Sequence, residues 1–148
     1  MIYAPIHLMI NHIPVIALPL NLLFLVFSVY KKNKQMKKFS LLILIFIGLT
    51  ILPVYFTGEP AEHEIEDFPA VNEAVIHPHE EMAEKTLAIL LLTSVTALAT
   101  LAFERNEKLN RQLTYTTIGL AIIGSMSLIY TASLGGKIRH TETRALKI

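Results

Sequence analysis

The sequence contains no cysteine. That absence excludes a disulfide framework, a thiolate zinc site, an iron–sulfur cluster and the C-x-x-C-H attachment of covalent haem. Charge is scarce as well: 17% of the 148 residues are Asp, Glu, Lys or Arg, where about a quarter is usual in a soluble domain. The formal net charge of +1 offers no global field for nucleic acid to follow. Nucleophile-elbow, P-loop and dinucleotide fingerprints are all missing. What the chain has instead is apolar surface, with 53% hydrophobic residues and a mean hydropathy of +0.50. The length allows one domain, and among the broad classes a membrane protein remains.

Uncharged runs divide the chain. Met1 to Tyr30 holds no Asp, Glu, Lys or Arg, and Phe39–Thr57, Thr86–Phe103 and Gln112–Gly136 follow the same pattern. Each is long enough to cross a hydrocarbon core at about 1.5 Å per residue. Four such runs in one small chain would leave almost nothing to cover them in water. Spans are expected at about 6–30, 39–57, 84–103 and 112–136. Met1-Ile2-Tyr3 lacks the basic start of a cleaved signal peptide. The fold class expected is all-α, an integral membrane four-helix up-down bundle, because short connections favour antiparallel neighbours.

The two ends of this bundle differ in charge. Residues 31–38 and 104–111 together carry eight Lys or Arg and two Glu. The connection 57–85 carries nine acidic residues and one Lys, and the tail 137–148 is basic. The positive-inside rule places the five-lysine connection in the cytoplasm and both termini outside, as a multi-pass protein of the bacterial inner membrane. Tyr3, Tyr55 and Tyr130 at one level, with Tyr30 and Tyr115 at the other, suit interfacial belts. The segment 58–83 reads as a long acidic outer loop in which Pro60, Pro69 and Pro78 can each open a short helix. Gly124, Ser127, Thr131 and Gly135 recur on one helical face, which suits close helix contact.

All six histidines, His7, His12, His63, His77, His79 and His140, fall at or beyond the outer ends of these spans. A bundle brings those ends together although the sequence separates them widely. His12 lies inside the first span beside Asn11 and before Pro14, and an ionisable group there needs a partner. Pro14 frees the Ile10 carbonyl, which Asn11 could satisfy. His7 precedes His12 by five residues, roughly 140° around a helix, so the two face different neighbours. Gly135-Gly136 precede His140 and can end a helix or let a flat ligand approach the backbone.

Two metal chemistries suit this set. Glu59, Glu62, His63 and Glu66 can share a helical face, and His77-Pro78-His79-Glu80-Glu81 adds further ligands for iron, zinc or copper. The specific signatures fail, however: no Glu-x-x-His pair occurs, and Ala83 stands where H-E-x-x-H needs its second histidine. A b-type haem needs two imidazoles from different helices, an apolar slot, small residues and no cysteine.

His7-Leu8-Met9-Ile10-Asn11-His12-Ile13-Pro14, Thr57-Gly58-Glu59, His79-Glu80 and Gly135-Gly136-Lys137-Ile138-Arg139-His140 resemble a group of small four-span bacterial membrane proteins. That group is similar to a domain-of-unknown-function family for which haem binding has been suggested. The resemblance spans nearly the whole chain and implies weight on His7, His12, His79 and His140, with Glu59 and Glu80 nearby. His63 and His77 fall outside its motifs. The two carboxylates keep a non-haem centre in view.

The function expected is therefore a membrane b-type cytochrome, carrying electrons on one or two bis-histidine haems near the extracytoplasmic face. His12 with His79 is the first expected pair, and His7 with His140 the second. Asn11 and Glu80 would hydrogen-bond the ligands, and Gly135 and Gly136 would flank the macrocycle. The alternatives are a non-haem metal protein using His12, His79, His140, Glu59 and Glu80, and an accessory subunit whose histidines only hydrogen-bond. Expected partners are lipid, a redox protein or quinone, or a second copy of the chain, and no nucleic acid.

Overall fold

The computed structural model describes residues 2–65, 71 and 73–145, except for the side chains of Glu73, Val75 and 139–145. The described residues form α1 (Tyr3–Tyr30), α2 (Lys34–Phe56), α3 (Gly58–His63), α4 (Glu73–Ala102) and α5 (Glu107–Ala145). The chain is all-α, and four of its helices are long and apolar enough to cross a membrane.

The helices overrun the uncharged spans at their ends. Lys34, Lys37 and Lys38 lie in the first turns of α2, because lysine is a good helix former and its charge stops no helix. Asn33 caps that helix, its Oδ1 accepting from the Met36 N–H at 3.0 Å. Asn106 does the same for α5, accepting from Leu109 at 3.1 Å. The end of α1 closes as a Schellman motif: the Asn33 N–H reaches the Ser28 carbonyl and the Lys32 N–H the Val29 carbonyl, each at 3.0 Å. Lys32 takes the left-handed position there, at φ 53°, where glycine is usual. A side chain at that position costs about 1–2 kcal/mol.

Some expectations are corrected. The acidic connection is shorter than 58–83, because α4 begins at Glu73, while α3 at its start is a short helix of the expected kind with Pro60 in its first turn. His77, His79, Glu80 and Glu81 therefore ride on the same rigid helix as the apolar stretch that follows. Pro78 does not open that helix; it sits inside α4, preceded by about one and a half turns. Gly135-Gly136 do not end α5, which continues to Ala145. Glycine costs a helix only about 1 kcal/mol, and the flanking residues carry it through. His140 is on this extension, but its side chain lies outside the described residues. Pro69 and Glu66 lie outside them as well.

Helix α1 packs on α2 and α5, and α4 packs on the same two helices. The four long helices thus form a square in which α1 and α4 are diagonal. Leu18, Leu25, Leu41, Leu44, Ile47 and Leu90 fill its middle and are almost fully buried. Outward, Leu20, Leu23, Phe46, Leu92, Ile122 and Met126 are exposed. Only 28–39% of the residues in each apolar window are buried, so the outer surface is apolar too.

Hydroxyls and small residues join the helices. Thr86, Thr93 and Thr100 repeat at seven-residue spacing along α4, and all are buried. Thr86 Oγ1 meets Ser127 Oγ at 2.5 Å and Thr131 Oγ1 at 3.0 Å, and Thr100 Oγ1 meets Thr117 Oγ1 at 3.3 Å. Between α4 and α2, Ser94 Oγ donates to the Leu44 carbonyl at 3.1 Å, and a Cβ on Gly48 would overlap that serine. Among the described residues no buried side-chain polar atom lacks a partner.

Candidate functional site

A cavity of about 850 Å³ opens at the end of the bundle where α3 lies. That is within the roughly 300–1,000 Å³ range of small-molecule and cofactor sites. A small cluster of Ala4, Ala61, Ile65, Val71, Ile76 and Ile138 closes over this end. Glu64, just past α3, ties the cover to α1. Its carboxylate accepts from the backbone N–H groups of Ile2 at 2.7 Å, Tyr3 at 3.1 Å and Ala4 at 3.0 Å. Helix α1 has no side-chain cap from its own N-cap residue, so this distant glutamate serves instead. The N–H groups of Ala4 and Ile2, above all, hold the Glu64 carboxyl down at about 2.

Inside the cavity His7 and His79 meet. Their ring centroids are 6.5 Å apart and the ring planes stand at 86°. Each ring is anchored through Nδ1. His79 Nδ1 lies 3.0 Å from the Thr131 carbonyl, which can only accept, so Nδ1 carries the proton. His7 Nδ1 lies 3.1 Å from Thr57 Oγ1. The single hydroxyl proton of Thr57 goes to the Pro53 or Val54 carbonyl, at 2.8 and 3.0 Å, so Oγ1 accepts from His7. With the proton on Nδ1, each ring in its neutral form offers the Nε2 lone pair, the arrangement seen in metal-ligating histidines. An imidazole nitrogen bonds a metal at about 2.0–2.1 Å, so two rings on opposite sides of one ion have centroids about 6 Å apart.

The glycines have distinct places. A Cβ on Gly135 would lie 3.1 Å from His79 Cε1, so this glycine makes room for the ring. A Cβ on Gly58 would stand 3.7 Å from His7 Cε1, an ordinary contact, and one on Gly136 would face open space.

The other expected residues sit differently. His12 lines the cavity but is exposed, its Nδ1 bonded to the Leu8 carbonyl one turn back at 2.5 Å. The structure thus brings His7, and not His12, to His79. Asn11 is half-buried in the cavity wall. Exposed Glu59 and Glu80 line the rim with Glu62, Glu81 and Glu84, alongside His63 and His77. Every charged side chain lining the cavity among the described residues is acidic. No group of three His, Cys, Asp or Glu that could hold a metal ion occurs among the described residues.

Sequence reasoning missed Thr57 and Thr131 as anchors. A signal for the ring that Thr131 holds was present: His79 stands seven residues before Thr86, in phase with the stripe that faces α5. Compared with known proteins, the chain matches no family model, no curated protein and no solved structure. The geometry alone therefore carries the functional reading.

Proposed function

We propose that the protein is a multi-pass protein of the bacterial inner membrane that holds one b-type haem between His7 and His79 and carries electrons near the extracytoplasmic face. The observation that carries this reading is the pair itself: two imidazoles from diagonal helices, each pinned through Nδ1, at a separation suited to opposite sides of one ion. Two protein ligands suffice for haem because the macrocycle supplies the remaining ones. When bound, haem supplies a one-electron couple. The protein's own part is positional. Thr57 and the Thr131 carbonyl hold the tautomers and aim the rings, Gly135 leaves space for His79, and the apolar walls exclude water.

The acidic rim favours a second reading. Among the described residues, five carboxylates and no lysine or arginine line the cavity, which suits a metal cation better than haem propionates. Glu59 and Glu80 would have to move in to join the histidines as ligands to iron, zinc or copper, since no three such groups among the described residues converge now.

A visible spectrum of the purified full-length protein separates the two. Haem gives a Soret band with sharp α and β bands on reduction, lost in His7→Ala and His79→Ala and kept in His12→Ala, His63→Ala and His77→Ala. A colourless protein with stoichiometric metal by elemental analysis supports the second reading instead. A protein with neither overturns both.

A further inference from the structure

At the opposite end of the bundle, the turns after α1 and α4 and the first turns of α2 and α5 surround a second cavity of about 430 Å³. Its charged lining is Lys32, Lys34, Lys37 and Arg111, with Glu104 and Glu107. Half-buried Lys37 donates from Nζ to Asn110 Oδ1 at 2.6 Å, and Asn110 Nδ2 donates to the Thr100 carbonyl at 2.6 Å. Asn110 thereby positions the ammonium without neutralising it. Among the described residues neither glutamate closes to ion-pair distance on a cation here, although Glu104 is near enough to act on the Lys37 charge. Lys32 projects its charge from a left-handed backbone position that glycine would fill without strain. Both α2 and α5 begin at this cavity, which adds the positive ends of two helix dipoles.

We propose that this cavity binds a phosphate-bearing anion. Four cations against two carboxylates, an ammonium positioned by Asn110, and two helix starts suit a phosphate group. Two sources carry that chemistry: the headgroup of an anionic phospholipid, and free phosphate. The apolar windows of the long helices start close to the cavity, and Lys31 Nζ lies 5.5 Å from the Tyr30 ring centroid and 5.6 Å from that of Phe27, an interfacial arrangement. Glu104 and Glu107 can accept from the hydroxyls of a glycerol headgroup.

The test is thermal unfolding of the full-length protein in neutral detergent, with phosphatidylglycerol, phosphatidylcholine or inorganic phosphate added at matched concentration. Phosphatidylglycerol should raise the midpoint by several degrees and phosphatidylcholine by much less. Lys37→Gln and Arg111→Gln should each lose at least half of that rise. Lys32→Gly gives a signature of opposite sign: a higher midpoint without lipid, and a smaller rise with it. An equal rise with inorganic phosphate makes free anion the source and upholds the shared chemistry. No rise with either ligand, or a full rise in Arg111→Gln and Lys32→Gly, overturns the proposal even where Lys37→Gln fails to fold.

Discussion

His7 and His79 meet at 6.5 Å from α1 and α4, one of the two diagonal pairs of the bundle. Adjacent helices in a bundle fill the space between them with interdigitated side chains, leaving no room for a ligand. A diagonal pair instead looks across the central axis. Midway along the bundle that axis is filled by leucines and threonines; at the histidine end the two rings stand in the cavity.

The Thr57 hydroxyl fixes which His7 nitrogen is free. Thr57→Val removes the acceptor and leaves the His7 Nδ1–H without its partner. Loss of such a supporting bond typically weakens metal binding about 10–100-fold. Titration of the purified apoprotein with cofactor should show that loss in Thr57→Val and near wild-type affinity in Thr57→Ser, which keeps the hydroxyl. Equal affinities for the valine and serine variants would remove Thr57 from the site.

The inward phase of α1 was legible in the sequence. Its buried residues Ala4, Pro14, Leu18, Asn21, Leu25 and Ser28 follow alternating three- and four-residue steps that also take in His7 and Asn11. His12 stands one position out of phase, which is why it is exposed while His7 enters the cavity. Steps of the same kind on α4 join Ile76, His79, Thr86, Leu90, Thr93, Ala97 and Thr100. Four helices and their order could thus be read from hydropathy, and the choice of His7 over His12 from phase. The extent of α4 could not, because Pro78 and the acidic run resemble loop composition until tertiary contacts override them. Nor could the Thr57 anchor, since its distance to His7 depends on the register of α1 against α2.

The lysine end should be cytoplasmic under the membrane reading. A reporter fused after Lys38 should read as cytoplasmic, and one near Gly58 or after Ile148 as extracytoplasmic, because five lysines oppose translocation of the first connection. The opposite pattern would put the histidine cavity on the cytoplasmic face and reassign its redox partners.

Glu64 gives the cover a dependence on acid. Its carboxyl stands at about 2 in the folded chain, below its ordinary value of 4.5. A depressed pKa adds stability that is complete above the ordinary value and lost as pH falls through the folded one. Wild-type stability should therefore decline between about pH 4.5 and 2 in part through this group. In Glu64→Gln that component should be absent, so the difference between the two proteins narrows across the window. Unfolding midpoints at stepped pH would show it, and a constant difference down to pH 2 would remove Glu64 as the cap of α1.

Two adjacent glycines of α5 differ in what they face. Replacing a helical glycine with alanine stabilises by about 0.5–1 kcal/mol where nothing obstructs the new methyl. Gly136 has open space at that position, so Gly136→Ala should unfold at higher temperature and bind cofactor as the wild type does. At Gly135 the same methyl would lie 3.1 Å from His79 Cε1. The ring must yield by a few tenths of an ångström, and it is tethered to the Thr131 carbonyl at 3.0 Å on the same helix. Moving it stretches that bond and shifts the ring relative to His7. Gly135→Ala should gain little or no stability and should bind cofactor more weakly, with an altered spectrum in whatever remains bound. Matching gains in both variants, with unchanged binding, would show that the His79 ring is free to relax and that Gly135 sets nothing in the site.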